Sequence, residues 1–411
     1  MKKIIFGGAY GLNSYGDDAA LLSLYYGIKA RIGEIDCQVL SRHASNDCYG
    51  RYGIKSIQNI EYQSKAESQG KWFYGFNYND DRTQLKAIYN EIVTSDLLVL
   101  GAGNFLVDYA IDLFRGPIPY IYILTVMAKM GNTPVMWYGV SAGPVKSKYG
   151  RDLSYVAAGM VDTITVRDAE SRSFLNSIGY KGEAILLPDS VIALPLPIGS
   201  HSVNIQEWIQ VNKMANMVIA VSVRSLGMFP NQVYEKYLKT IANACDYFIR
   251  SMNASVIFIP QCCYTHGNPD EDDRVVAKMV IDRMENQNQV VLVERELTVE
   301  ECLGIYSGSI FSLCTRLHGN VFSAMNGVPS IAINYNPKVK NFMSWLEKPQ
   351  LTVNLDELDV SLLVEKANYI IKNRAKLGEE ILERIQKGHK QAQQYADIAC
   401  DLLEGRKFAI S

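Results

Sequence analysis

The chain has 411 residues, more than one hydrophobic core usually organises, so about two domains are expected. Hydrophobic residues make up 48% and charged residues 20%, an ordinary globular balance, and a formal net charge of −2 gives no electrostatic footprint for nucleic acid. Eight cysteines without metal-ligand spacing suit a reducing compartment and give no reason to expect a structural metal.

The opening Met-Lys-Lys-Ile-Ile-Phe-Gly-Gly has too short an apolar run for a signal peptide, so it reads as entry into a strand over 3–6 and export is not expected. A glycine-rich loop over 7–18 and a helix over 19–31 follow. This layout lets a ligand approach backbone, although the glycine spacing is not a dinucleotide fingerprint. Asp17 and Asp18 open the helix, where carboxylates cap and complement the dipole; a site role is equally open to them. Residues 48–79 are polar, aromatic and irregular, either a ligand-facing flap or a surface insertion. A helix over 81–95 leads to a strand over 97–100 that ends in Gly101-Ala102-Gly103-Asn104, a turn placed where open α/β sheets bind ligands. A mostly buried helix is expected within 109–130; its apolar part, 118–130, is too short to span a bilayer. Strands follow at 135–139 and 161–166. After the second, Asp168 suits a helix cap and Arg167 suits pairing with an internal carboxylate. A strand over 184–189 ends at Asp189.

Pro195, Pro197 and Gly199 begin an interdomain connection that runs to residue 216. A buried strand over 217–223 then delivers Arg224 at its end. Next come a helix over 232–252, a strand over 255–259, and a loop through Cys262, Cys263 and His266. The two cysteines lack a base partner and read as packing; His266 is either surface or site. A helix over 272–285, a strand over 289–293 and a helix opened by Thr298 lead to the stretch Ile310–Tyr335. Here a strand reaches Leu313, a turn carries Arg316 and His318, and Leu317, Val321, Ala324 and Met325 mark a short helix. Asn326-Gly327 stops it before a strand over 330–334. A guanidinium and an imidazole at a strand–helix junction face unpaired backbone N–H groups and the positive end of the dipole, so with Arg224 they suit a small, multiply charged anion. An amphipathic pattern from 355 to about 403 makes a terminal helical region. Strand and helix alternate throughout, so the expected fold is α/β, with two Rossmann-like doubly wound domains facing a cleft. Their bounds are 1–200 and 215–354, with residues 355–411 returning to the first domain.

Arg316-Leu317-His318-Gly319, followed by Gly327-Val328-Pro329 and Tyr335-Asn336-Pro337-Lys338, resembles the hallmark of the polysaccharide pyruvyl transferase family. The first loop, through Gly7 or Gly8, Gly11, Asn13, Gly16 and Asp17, is similar to that family's amino-terminal element. Val166-Arg167-Asp168 with Ser171, and Pro188-Asp189, match it as well; Ala102 departs from it, standing where the family carries glycine. The resemblance implies a GT-B-like fold and phosphoenolpyruvate as donor, bound by Arg224, Arg316, Leu317 and His318 with Lys338 and Tyr335 from the next loop. It implies further substrate contacts from Asn13, Gly103 and His266, with His318 as the acid and Asp17 or Asp18 as the base. The product would be a cyclic pyruvate ketal on a sugar, with release of phosphate and without metal, nucleotide or other cofactor. The partner implied is a lipid-linked or nucleotide-linked sugar acceptor of surface-polysaccharide assembly, met in the cytoplasm with transient contact at the inner membrane face. Two alternatives stay open: a GT-B glycosyltransferase using a sugar nucleotide, and a non-catalytic relative that binds a glycan or an anion.

Overall fold

The computed structural model describes residues 1–60, 83–108, 116–195, 217–263 and 272–406, with the side chain of Ala102 excepted. It resolves into two compact units. One comprises Met1–Leu12, Asp17–Leu194 and His389–Ser411, the other Asn13–Gly16 and Pro195–Gly388.

In the first unit the described elements are β1 (Lys2–Gly7), α1 (Tyr15–Ile32), β2 (Ile35–Ser41), β3 (Lys55–Gln58), α2 (Thr83–Val93), β4 (Leu97–Leu106), α3 (Pro117–Met130), β5 (Val135–Ala142), α4 (Lys148–Met160), β6 (Thr163–Val166), α5 (Ala169–Ser177) and β7 (Ala184–Leu186). The strands form a parallel sheet in the order β3-β2-β1-β4-β5-β6-β7. Its central strands are continuous apolar runs because helices cover both faces: Ile4, Ile5, Phe6, Leu97, Leu98, Val99, Met136 and Trp137 are all fully buried. The irregular reading of residues 48–79 is corrected at Lys55–Gln58, which forms the edge strand β3. Lys55 and Gln58 are exposed there, and a polar edge strand carries no alternation that a sequence could display. Residues 61–79 of that stretch lie outside the described residues.

The second unit continues with β8 (Met217–Ser222), α6 (Asn231–Met252), β9 (Ala254–Phe258), α7 (Asp273–Ile281), β10 (Val290–Leu292), α8 (Val299–Ser307), β11 (Phe311–Cys314), α9 (Leu317–Met325), β12 (Ser330–Asn334), α10 (Pro337–Trp345) and β13 (Thr352–Asn354). Its parallel sheet runs β10-β9-β8-β11-β12-β13, with Leu313 opposite both Val221 and Ile331. Each sheet therefore reverses its winding once, between β1 and β4 in the first and between β8 and β11 in the second. The carboxyl ends of the strands at such a switch point are where doubly wound sheets bind ligands. The chain closes with α11 (Val360–Ala392), which bends at Asn373, and α12 (Gln394–Leu403). Among the described residues no helix is long and apolar enough to cross a membrane.

Candidate functional site

At the switch point of the second sheet, β8 runs out at Arg224 and β11 at Thr315-Arg316. Close packing makes this turn possible. A Cβ on Gly319 would lie 3.0 Å from Cys314 Sγ and from Tyr306 Oη and 3.1 Å from Ser222 Cβ, so any larger residue would push these neighbours apart, and glycine lets α9 seat directly on the two strands. The fully buried Asn320 then pins the junction. Its amide donates to Arg316 O at 2.9 Å and to Cys314 O at 3.4 Å, while its Oδ1 accepts from Ser330 Oγ at 2.6 Å.

Arg316 stands at the N-cap of α9 with an extended backbone. Its guanidinium forks onto the buried carboxylate of Asp273, Nε to Oδ2 at 2.9 Å and Nη2 to Oδ1 at 2.6 Å. Asp273 also accepts from the backbone N–H of Gln261 and of Cys262, both at 3.0 Å. Burial alone would weaken the hold of Arg316 on its proton, but the adjacent Asp273 outweighs it and raises the pKa. Part of the guanidinium that the sequence assigns wholly to a ligand is thus spent on anchoring the turn. Leu317, placed in the donor set by the family resemblance, is buried.

Tyr335, just beyond β12, gathers the other cations. Arg224 Nη1 donates to its phenol oxygen, and the same guanidinium lies 4.7 Å from the ring centroid. Lys338 Nζ is 5.9 Å from that centroid, held in the first turn of α10, where Asn336 caps Lys338 N at 3.2 Å. Burial pushes the phenol's pKa up, but Lys338, Arg224 and Arg316 together pull it down, from the ordinary 10.0 to about 8. One phenol facing three permanent cations marks a place of concentrated positive potential. His318, on the first turn of α9, has its ring 6.4 Å from that of Phe322.

Asn13, itself part of the second unit, donates from Nδ2 to Glu296 at 2.9 Å. In the first unit, Asp17 and Asp18 occupy the first turn of α1, and Asp17 Oδ1 comes within 3.6 Å of where a Cβ on Gly103 would stand. Asp18 is buried, accepts from Tyr49 Oη at 2.5 Å and meets Cys48 Sγ at 3.8 Å. Burial dominates its titration: despite the Tyr49 bond, the carboxyl is raised to about 7. Arg167 pairs with the buried Asp189 at 3.0 Å, and Asp168 caps α5 by accepting from Ser171 N at 2.7 Å; both serve the architecture. His266 lies outside the described residues. The structure therefore groups Arg224, Arg316, Tyr335, Lys338 and His318 in one unit, and Asp17, Asp18 and Gly103 in the other.

Two residues of consequence were not singled out from the sequence. Asp273 stands next to Asp272 at the start of a helix; positions 273, 276, 277 and 280 share one helical face, and Val276, Ala277 and Val280 are buried. That spacing places Asp273 inward. Tyr15, buried and bonded to Leu297 N at 2.8 Å, carried no such signal, because its partner is 282 residues away.

Two doubly wound α/β units, the second with a cationic centre and a histidine at its switch point, define a protein of GT-B-like class. The chain belongs to the polysaccharide pyruvyl transferase family, whose profile matches residues 15–337. It is similar to the amylovoran biosynthesis protein AmsJ of Erwinia amylovora, at 21% identity over 74% of this chain and 72% of that protein. Among solved structures it resembles the MnaA–UDP co-structure from S. aureus, with a TM-score of 0.64 and 11% identity over 100% of this chain and 99% of that one. A UDP-GlcNAc 2-epimerase from Neisseria meningitidis bound to UDP-GlcNAc gives a TM-score of 0.61 at 12% identity, covering 99% of this chain and 100% of the other. At such identities these likenesses establish the fold.

Proposed function

We propose that the protein is a phosphoenolpyruvate-dependent transferase that builds a pyruvate ketal on a sugar of an exopolysaccharide precursor. The observation that carries this is the set of Arg224, Arg316 and Lys338 that acts on Tyr335, with His318 two residues on from Arg316 in the first turn of α9. A trianion with a carboxylate and a phosphate a few ångströms apart suits several fixed cations better than a neutral sugar does. In this reading Arg224 and Lys338 take the donor's anionic groups, and Arg316, locked on Asp273, adds field without needing to move. His318 as imidazolium protonates the methylene carbon, turning CH2 into CH3 while charge develops at the neighbouring carbon. A sugar hydroxyl adds there and gives its proton to a base. The carbon–oxygen bond to phosphate then breaks, and a second hydroxyl closes the ketal. Of the two protons shed by the hydroxyls, one replaces that spent by His318 and the other leaves on hydrogen phosphate. Asp17 is the proposed base, since Asp18 is buried against Tyr49 and Cys48. The acceptor is a lipid-linked or nucleotide-linked sugar of surface-polysaccharide assembly, a reading that the relative named for amylovoran biosynthesis supports.

Calorimetric titration of phosphoenolpyruvate into the wild-type protein, Arg224→Ala and Lys338→Ala tests this. Saturable binding is expected in the wild type, weakened about tenfold or more in each variant, because each removes a charge-assisted contact. A wild type that ignores phosphoenolpyruvate and binds a uridine nucleotide instead would replace this reading with that of a glycosyltransferase.

A further inference from the structure

His318 is seated by a piece of chain from the far end of the sequence. Residues Asn13–Gly16 belong to the second unit. Ser14 forms an antiparallel bridge with Cys262, Tyr15 N donates to Gln261 O at 3.1 Å, and Cys263 N donates to Asn13 O at 3.0 Å. The Tyr15 phenol is buried, accepts from Leu297 N at 2.8 Å and meets Cys263 Sγ at 3.6 Å. The Asn13 side chain adds its bond to Glu296, at 2.9 Å. Asn13, Ser14 and Tyr15 are thus held to the second unit by backbone, and Asn13 and Tyr15 by side chain as well, as a strap that carries Gly16.

The strap ends on His318. A Cβ built on Gly16 would stand 1.7 Å from the imidazole Nδ1, 2.1 Å from Cγ and 2.4 Å from Cε1, separations at which two atoms cannot coexist. Gly16 lies in the first turn of α1, and no left-handed backbone demands glycine there. Local helix propensity would favour alanine. What the position requires is space for the ring. We propose that Gly16, held by the strap, is the positioning residue of His318: it fixes the imidazole with its Nδ1 edge on the strap backbone, so that proton transfer to substrate runs through Nε2. This rests on the acid role assigned to His318 above, and the reaction keeps the balance given there.

The test pairs a kinetic with a spectroscopic measurement on the full chain. In Gly16→Ala the ring must swing away, and kcat for phosphate release should fall on the order of a hundredfold, the usual cost of misplacing a reacting group by about an ångström. The KM for phosphoenolpyruvate should stay within about twofold, since the Arg224 and Lys338 contacts are untouched. In a His318→Ala background the same substitution should cost nothing further, because nothing is left to position. Nitrogen-15 spectra of the imidazole should show one fixed tautomer in the wild type and an altered pattern in Gly16→Ala. Tyr15→Phe, which removes the bond to Leu297 N but leaves the seat, should move kcat and the spectrum less, in the same direction, and serves if Gly16→Ala does not fold. Unchanged imidazole signals in the variants, or a loss that adds fully to that of His318→Ala, would overturn the proposal. The spectra need no substrate, so a protein inactive toward phosphoenolpyruvate would refute the transferase reading while leaving the seat decided on its own evidence.

Discussion

At the scale of single residues the most informative group is Tyr335, because its proton reports on the charge around it. With a folded pKa of about 8 against an ordinary 10.0, the native state loses this proton two units earlier than the unfolded chain does. Between those values the unfolded state binds more protons, so stability should rise with pH there, relative to Tyr335→Phe, and the gain disappears as pH falls through about 8. An anion bound among Arg224, Arg316 and Lys338 neutralises the field that lowers this pKa. Ultraviolet difference titration should therefore show one tyrosine ionising near pH 8 in the free protein, absent in Tyr335→Phe and moved upward by saturating phosphoenolpyruvate. A wild-type protein without that early step, or a step indifferent to the anion, would contradict the cationic centre described above.

At the scale of elements, the junction of β11 and α9 depends on a carboxylate from α7. Asp273 satisfies the Arg316 guanidinium and the backbone N–H groups of Gln261 and Cys262, so it binds three segments at one point. Asp273→Ala leaves all of these without their acceptor, and we expect a loss of about 3 kcal/mol in denaturant unfolding. A loss under about 1 kcal/mol would show that water replaces the carboxylate easily. The strand–turn–helix order here is legible in the sequence, since β-branched and apolar runs, glycine and proline act over a few residues. The partner of Arg316 is not, because it arrives from 43 positions upstream. The same division explains why Arg224 and His318 could be placed at strand and helix ends from local pattern, while the seat of His318 could not be foreseen. Gly16 reads locally as a loop glycine, and only the fold brings it against an imidazole 302 positions on. Likewise β3 stayed hidden, since three of its four residues are polar and Ile57 alone makes no pattern.

At the scale of the whole molecule, the first unit is completed by the end of the chain. Within α11 the assignment passes from the second unit to the first between Gly388 and His389. Beyond that point the chain is tied closely to the first unit. Arg31 Nε meets Asp397 at 2.6 Å, Tyr395 Oη donates to Pro188 O at 2.9 Å, and Gln393 Nε2 donates to Ala193 O at 3.1 Å. Tyr395 packs edge-on against Tyr138, with centroids 4.9 Å apart, and Ile398, Ala399 and Leu403 are buried beside it. Because edge-to-face aromatic pairs and buried apolar side chains dominate core energetics, these final residues are part of the first unit's core. A chain ending at Gly388 should therefore lose the first unit's thermal transition or show it at a much lower temperature. Tyr395→Ala alone should cost about 3–5 kcal/mol, as large aromatic deletions in cores do. The second unit keeps every residue of the cationic centre in both variants, so the anion-dependent ionisation of Tyr335 should persist. Scanning calorimetry with the tyrosinate titration separates the cases: unchanged melting would mean that the terminal helices only cover the first unit, and joint loss of melting and titration would mean that the two units fold as one.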